Sequence, residues 1–193
     1  MKNLVLLLLF YLLIVTPVLA QPLIGVQSNG FGGPALKVTQ VNDESVVLLG
    51  GRIGGILNQR FAVGAGFYRL LGDTNAPEAA QGLSSEAVDF DMDYVGLDLE
   101  YIVGPQRRIH FSIQTLIGTG RAQYWEGNDT VILEDGIWVI EPGVNFMLNV
   151  TRFLRIGLGA SYRFVSGIER LDGLESQDLN DASANLFLKF GKF

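Results

Sequence analysis

In "RIHFSIQTLIGTG", residues 108–120, His110 and Ser112 stand two apart, so in an extended chain both side chains leave the same face. A serine hydroxyl becomes a nucleophile when a neighbouring base takes its proton and a carboxylate orients that base. Glu100 and Glu141 are the carboxylates that would complete such a set, and its chemistry would be hydrolysis. An interior histidine that merely hydrogen-bonds a carboxylate uses the same residues without any chemistry. His110 also follows the turn "GPQRR" closely, which sets it at one rim of whatever the strands build.

A second candidate is "DFDMDYVGLDLE", residues 89–100, with Asp at positions 1, 3 and 5 and Glu at 12 of a calcium-loop spacing. The sixth position, where the sharp turn needs Gly, is Tyr94, and the second half reads as strand, so a calcium loop is rejected. Asp89, Asp91 and Asp93 share one parity, and a weaker reading has divalent cations bridging them to lipid phosphates. A solvated loop explains them more simply.

Composition narrows the field. A formal charge of −6 argues against nucleic acid as a partner. With no Cys there is no disulfide framework, no thiolate metal site and no lipid-modified N-terminal cysteine. No Gly-rich loop follows a strand and opens a helix, so nucleotide binding has no support. No metal or cofactor is expected.

The elements that carry these residues begin after "MKNLVLLLLFYLLIVTPVLAQP". Lys2, the apolar run Leu4 to Val15, the break at Pro17 and the small-residue end at Ala20 have the layout of a cleaved signal peptide. Residues 1–20 are therefore expected to be removed, leaving 21–193 as one exported domain. The run is shorter than the ~20 apolar residues a spanning helix needs, and Gly or a charge interrupts every later one.

Period-two alternation then recurs over eight segments, roughly 33–41, 45–57, 60–71, 91–103, 108–123, 136–149, 152–166 and 182–192. Most reach or exceed the ~9–11 residues of a tilted membrane strand. Three connections are tight and end in Arg: "LNQR", "GPQRR" and "NVTR". Three others, 72–90, 124–135 and 167–181, are long and acidic, and only "VNDES" on that side is short. Short turns on one rim and longer loops on the other predict an all-β, eight-stranded antiparallel up-and-down transmembrane β-barrel in a bacterial outer membrane.

The two faces of each strand carry the argument further. In "TRFLRIGLGASYRFV" one side is Leu154, Ile156, Leu158, Ala160, Tyr162 and Phe164, and the other is mainly Gly, Ser and Arg. A solvated face would be dense in Lys, Glu, Thr and Gln. A face of small residues with a few long charges instead suits the narrow interior of a small barrel. Lys37, Arg52, Arg155, Arg163 and Lys189 fall on that interior, with Asp98, Glu100 and Glu141, and buried charges must pair. The expectation is a paired network that fills the lumen and leaves no wide pore. Aromatic girdles are expected from Tyr68, Tyr94, Tyr124, Trp125, Trp138 and Phe164 near the long loops, and from Phe61, Tyr101, Phe146 and Phe153 near the turns.

The spans "GGRIGGILNQRFAVGAGFY", "VGLDLEYI", "HFSIQTLIGTG", "EPGVNFMLNVTRFLRIGLGASYRFVSGI" and "LKFGKF" resemble a family of small, uncharacterised outer-membrane β-barrel proteins of Bacteroidota-like bacteria. The resemblance implies fold and location, and carries over no activity. At the C-terminus, Leu186, Leu188 and Phe190 share the apolar parity whereas Phe193 does not, so the assembly signal falls on one or the other. The function read from the sequence is a non-enzymatic barrel with a structural or interaction role in the envelope. Its partners would be the bilayer, lipopolysaccharide and a protein met at the long loops. Two alternatives stay open. One is a lipid-modifying enzyme acting through His110 and Ser112, since lipid A deacylase barrels use a similar His, Ser and Glu set. The other is a soluble, lipocalin-like carrier of a small apolar ligand.

Overall fold

The computed structural model describes residues 29–41, 44–72, 74–83, 87–126 and 130–193. The expected signal peptide lies outside the described residues. Eight long strands form the wall: β1 (Asn29–Val41), β2 (Glu44–Leu57), β3 (Phe61–Leu71), β5 (Val88–Val103), β6 (Ile109–Glu126), β7 (Thr130–Asn149), β8 (Leu154–Ser166) and β9 (Asp181–Gly191). A two-residue strand, β4 (Thr74–Asn75), pairs with β5 above the rim. Every neighbouring pair is antiparallel, and β1 pairs with both β2 and β9 while β3 pairs with β5, so the sheet closes on itself.

The tight turns are made locally. Asn58 and Gln59 adopt positive φ, 49° and 60°, as the central residues of a type I′ turn do, and the Arg60 N–H closes the turn on the Leu57 carbonyl. Gly104 takes φ 68° at the start of the second turn. At the third, Thr151 Oγ1 accepts the N–H groups of Phe153 (3.1 Å) and Leu154 (3.0 Å).

Alternation along each strand is what burial follows. Leu158 (60% exposed), Val144 (51%) and Ile113 (52%) point out of the wall, whereas Arg163 is fully buried inside it. The barrel is thus inverted relative to a soluble one: its outer belt is apolar and its axis is charged. That polarity belongs to a cylinder whose outer solvent is hydrocarbon. It also excludes the soluble carrier reading, which needs an apolar lumen and a polar exterior.

Two prolines sit mid-wall, facing outward, where a missing N–H disturbs the sheet. The β7–β8 ladder passes from Ile140–Phe164 directly to Gly143–Ser161, skipping Pro142. The β1–β9 ladder likewise passes from Gly32–Phe190 to Ala35–Phe187, skipping Pro34.

Two expectations are corrected. Residues 124–135 are not a long loop: β6 continues to Glu126 and β7 starts at Thr130, because alternation through "QYWE" and "TVILED" extends the hairpin beyond the belt. Tyr68, Tyr94 and Tyr124 do not form a girdle, being 3%, 2% and 0% exposed and turned inward by strand parity. The exposed aromatic residues nearest the loops are Trp138, Tyr162 and Phe164, and those towards the turns include Phe61, Tyr101, Phe111, Phe146, Phe153 and Phe190.

Replacing Val144 by Arg places a charge at the middle of the belt. The expected outcome is a loss of about 2–4 kcal/mol of folding stability in lipid vesicles, read from denaturant titration. A wall facing water would tolerate the change.

Candidate functional site

The inward residues of all eight long strands meet in the lumen. Lys37 on β1 reaches across to Glu141 on β7, Nζ to Oε2 2.6 Å, with both side chains buried. Tyr94 completes this cluster, its hydroxyl accepting from Lys37 Nζ (3.1 Å) and donating to Glu141 Oε2 (2.9 Å). Ser161 donates to the other carboxylate oxygen at 2.5 Å, and Asn185 donates to Ser161 at 3.0 Å. The Lys37 ammonium also lies 3.5 Å from the centre of the Tyr68 ring, a cation–π contact.

A second cluster is built on Arg52 of β2. Its Nε donates to Asp98 Oδ2 at 2.6 Å and its Nη2 to Glu100 Oε2 at 2.9 Å, both acceptors being on β5. Lys189 of β9 pairs with the same Glu100 oxygen. The Phe187 ring lies 5.0 Å below the Arg52 guanidinium, and Phe31 lies 4.5 Å from Lys189. Phe187 lies where it does because Gly157 faces it on β8: a Cβ there would collide with the ring. Beside this cluster Asn145 donates to Gln114 at 2.9 Å and to Ser112 at 3.5 Å.

Six of the eight interior charges foreseen from sequence are therefore brought into ion pairs: Lys37, Arg52, Asp98, Glu100, Glu141 and Lys189. Two are not. Arg163 donates to backbone carbonyls, Nε to Leu179 (2.8 Å) and Nη2 to Gln40 (3.1 Å). Arg155 stands at the turn end, its guanidinium 3.9 Å from the Phe193 ring centre. Sequence reasoning missed the uncharged members Tyr94, Tyr68, Ser161, Asn145 and Gln114, although all carry the polar parity of their strands.

His110 and Ser112 both point inward, as their spacing requires. The His110 Nδ1 contacts the carbonyl of Arg107 at 3.3 Å, while Ser112 lies with Asn145 beside the second cluster. No hydrogen bond joins the two among the described residues, so the base is not directed at the hydroxyl. Of the three rim aspartates, Asp91 pairs with Arg69 (2.6 Å) and Asp93 with Arg121 (2.9 Å) on the adjoining strands. Arginines neutralise these two, and no cluster of metal-ligating residues occurs among the described residues.

Lumen packing of this kind makes removal of one partner costly, because a charge is left buried and unpaired. Glu100→Gln removes the negative charge shared by Arg52 and Lys189 and is expected to lower stability by about 3–5 kcal/mol. Adding Lys189→Met to that variant should restore part of the loss, measured by urea unfolding of the two variants in parallel.

No protein-family model matches this chain, and no curated protein matches it in sequence. Among solved structures it is similar in fold to Neisserial surface protein A, with a TM-score of 0.56 at 15% identity, over 88% of this chain and 99% of that one. The N-terminal β-barrel domain of OprF from Pseudomonas aeruginosa aligns with a TM-score of 0.53 at 12% identity, over 86% of this chain and 99% of its own. A major outer membrane protein from Thermus thermophilus gives 0.52 at 10% identity, over 84% and 98%. The fold is that of small outer-membrane barrels, and together with the apolar belt it puts this chain in an outer membrane.

Proposed function

We propose that this chain is a non-enzymatic integral barrel of the bacterial outer membrane, with a solid lumen and a structural or loop-presenting role in the envelope. The observation that carries the reading is the lumen itself. Ion-paired, buried side chains occupy the axis where a transporter would keep water, and an eight-stranded ring is just wide enough for them to fill. Export through a cleaved segment at residues 1–20 and kinship with the Bacteroidota-like family belong to the same proposal.

The loop side supports presentation to a partner because it is packed. Leu171, Leu174 and Leu179 are buried with Tyr124 and Ile137 in a cap over the barrel. Tyr124 donates its hydroxyl to the Asp172 carbonyl at 3.0 Å. Asp135, above the belt that begins on β7 at Trp138, accepts the N–H groups of Glu169 (2.9 Å), Arg170 (2.7 Å) and Leu171 (3.1 Å). Just below, Arg69 and Arg121 point outward at the level of the outer headgroups, which suits contact with lipopolysaccharide phosphates.

Two measurements test this. Reconstituted in planar bilayers, the barrel should show no steady conductance, whereas stable single-channel steps would refute the filled lumen. Lipid A mass profiles should be the same with the parent chain and with Ser112→Ala; a difference would favour the enzyme.

The cap should also respond to acid. Burial alone would raise the Asp135 pKa, but the backbone N–H groups of Arg170, Glu169 and Leu171 and the Arg170 side chain outweigh it and hold the carboxyl below its ordinary 3.8. A depressed folded pKa stabilises above the unfolded value and is lost as pH falls through the folded one. Pepsin cleavage within 167–180 should therefore rise as the pH falls through and below the ordinary carboxylate range. Asp135→Asn should be cleaved readily across that whole range.

A further inference from the structure

The end of the barrel that carries the tight turns opens into a cavity of about 320 Å3 lined by Gln59, Gln106, Asn149, Arg152, Arg155 and Phe193. Arg155 forms its floor. This side chain is 5% exposed, and its Nε is buried without a hydrogen-bond partner. Every other lumen cation has acceptors: carboxylates for Lys37, Arg52 and Lys189, and backbone carbonyls for Arg163. Arg155 has the Phe193 ring on one side and no ion pair among the described residues.

No Asp or Glu side chain lies on the turns at this end, and Glu100 in the lumen above is already paired with Arg52 and Lys189. β1 begins at this end with Asn29, and residues 1–28 contain no Asp or Glu. The three turns contain none either, whereas they carry Arg60, Arg107, Arg108 and Arg152, and Lys192 follows β9 at the same end. Among the described residues, every Asp and Glu outside the lumen lies on the loop side. A buried, unpaired guanidinium is costly, and the cost is relieved by an anion with oxygens to accept its N–H groups.

We propose that this mouth is a binding site for a phosphate-type oxyanion, with Arg155 at its floor and Arg152 at its rim. The planar fork of a guanidinium matches two oxygens of a phosphate, and the rim arginine adds a second charge as the anion enters. The amides of Gln59, Gln106 and Asn149 give the wall a polar surface without repelling negative charge. The oxyanion has two sources at this rim: the headgroup of a phospholipid in the adjoining leaflet, or a soluble phosphate in the compartment below.

The test uses the protein purified from outer membranes in an uncharged maltoside detergent. Binding is followed by the NMR signal of the Arg155 Nε–H and, independently, by calorimetry. One arm titrates inorganic phosphate, and the other titrates micelles doped with phosphatidylglycerol. Saturation with inorganic phosphate identifies a soluble anion, and saturation with the lipid alone identifies a headgroup; either supports the site. Arg155→Gln should abolish binding while the barrel keeps its heat-modifiable gel mobility. Arg152→Gln, an exposed change that leaves the fold untouched, should weaken it by about tenfold, the value of one charge-assisted hydrogen bond. Saturation in neither arm overturns the proposal, as does undiminished binding in folded Arg155→Gln, or in Arg152→Gln should the first variant not fold.

Discussion

Inside hydrocarbon no water can satisfy a backbone N–H or C=O, so a sheet that crosses a membrane must leave no edge. The pairing of β1 with β9 meets that demand, and much of the remaining architecture follows from it. Closure at eight strands fixes a lumen only as wide as the side chains that line it. Whatever faces inward must then fill the axis, and here the inward residues include arginines, lysines and carboxylates. Packed together away from bulk water they have to pair, which turns the lumen into a salt-bridged core and leaves the apolar residues to face lipid.

This explains why so much was legible from the chain. A period of two assigns each residue to one of two faces, and in a closed wall those faces have one meaning each along the whole strand. Arg52 and Lys189 could be placed in the interior from parity alone, without knowing that both would converge on Glu100. The partner choice was not legible, because it depends on strand stagger, which parity leaves free. Tyr68 and Tyr94 show the opposite failure. Their place near strand ends suggested the interface, yet their parity matched the interior, and parity prevailed. In the lumen their rings receive the Lys37 ammonium, and the Tyr94 hydroxyl bridges that lysine to Glu141.

The loop side was the hardest part to read. Its Asp, Glu, Gly and Asn content suggests solvated connections, and composition does not reveal that β6 and β7 continue as a ribbon past the belt. What fixes the cap is long-range: Asp135 gathers three consecutive amides from more than thirty positions away in sequence. A single carboxylate accepting several N–H groups does for this loop what an N-cap does for a helix, orienting backbone donors that would otherwise need water. No local pattern announces such a contact.

The two unpaired lumen arginines show how the ends of the cylinder differ. At the loop end, Arg163 finds carbonyl oxygens because the cap folds down and offers them, Leu179 from the cap and Gln40 from the end of β1. At the turn end the connections are too short to fold inward. Tight turns spend their carbonyls on their own hairpins, as Leu57 does with Arg60 and Gly104 with Arg107. Arg155 is left with an aromatic ring, which offsets part of its charge but accepts no N–H from the edge of the guanidinium plane. Short turns make one end of the barrel simple to build, and the same shortness leaves its innermost cation in need of an acceptor from outside the chain.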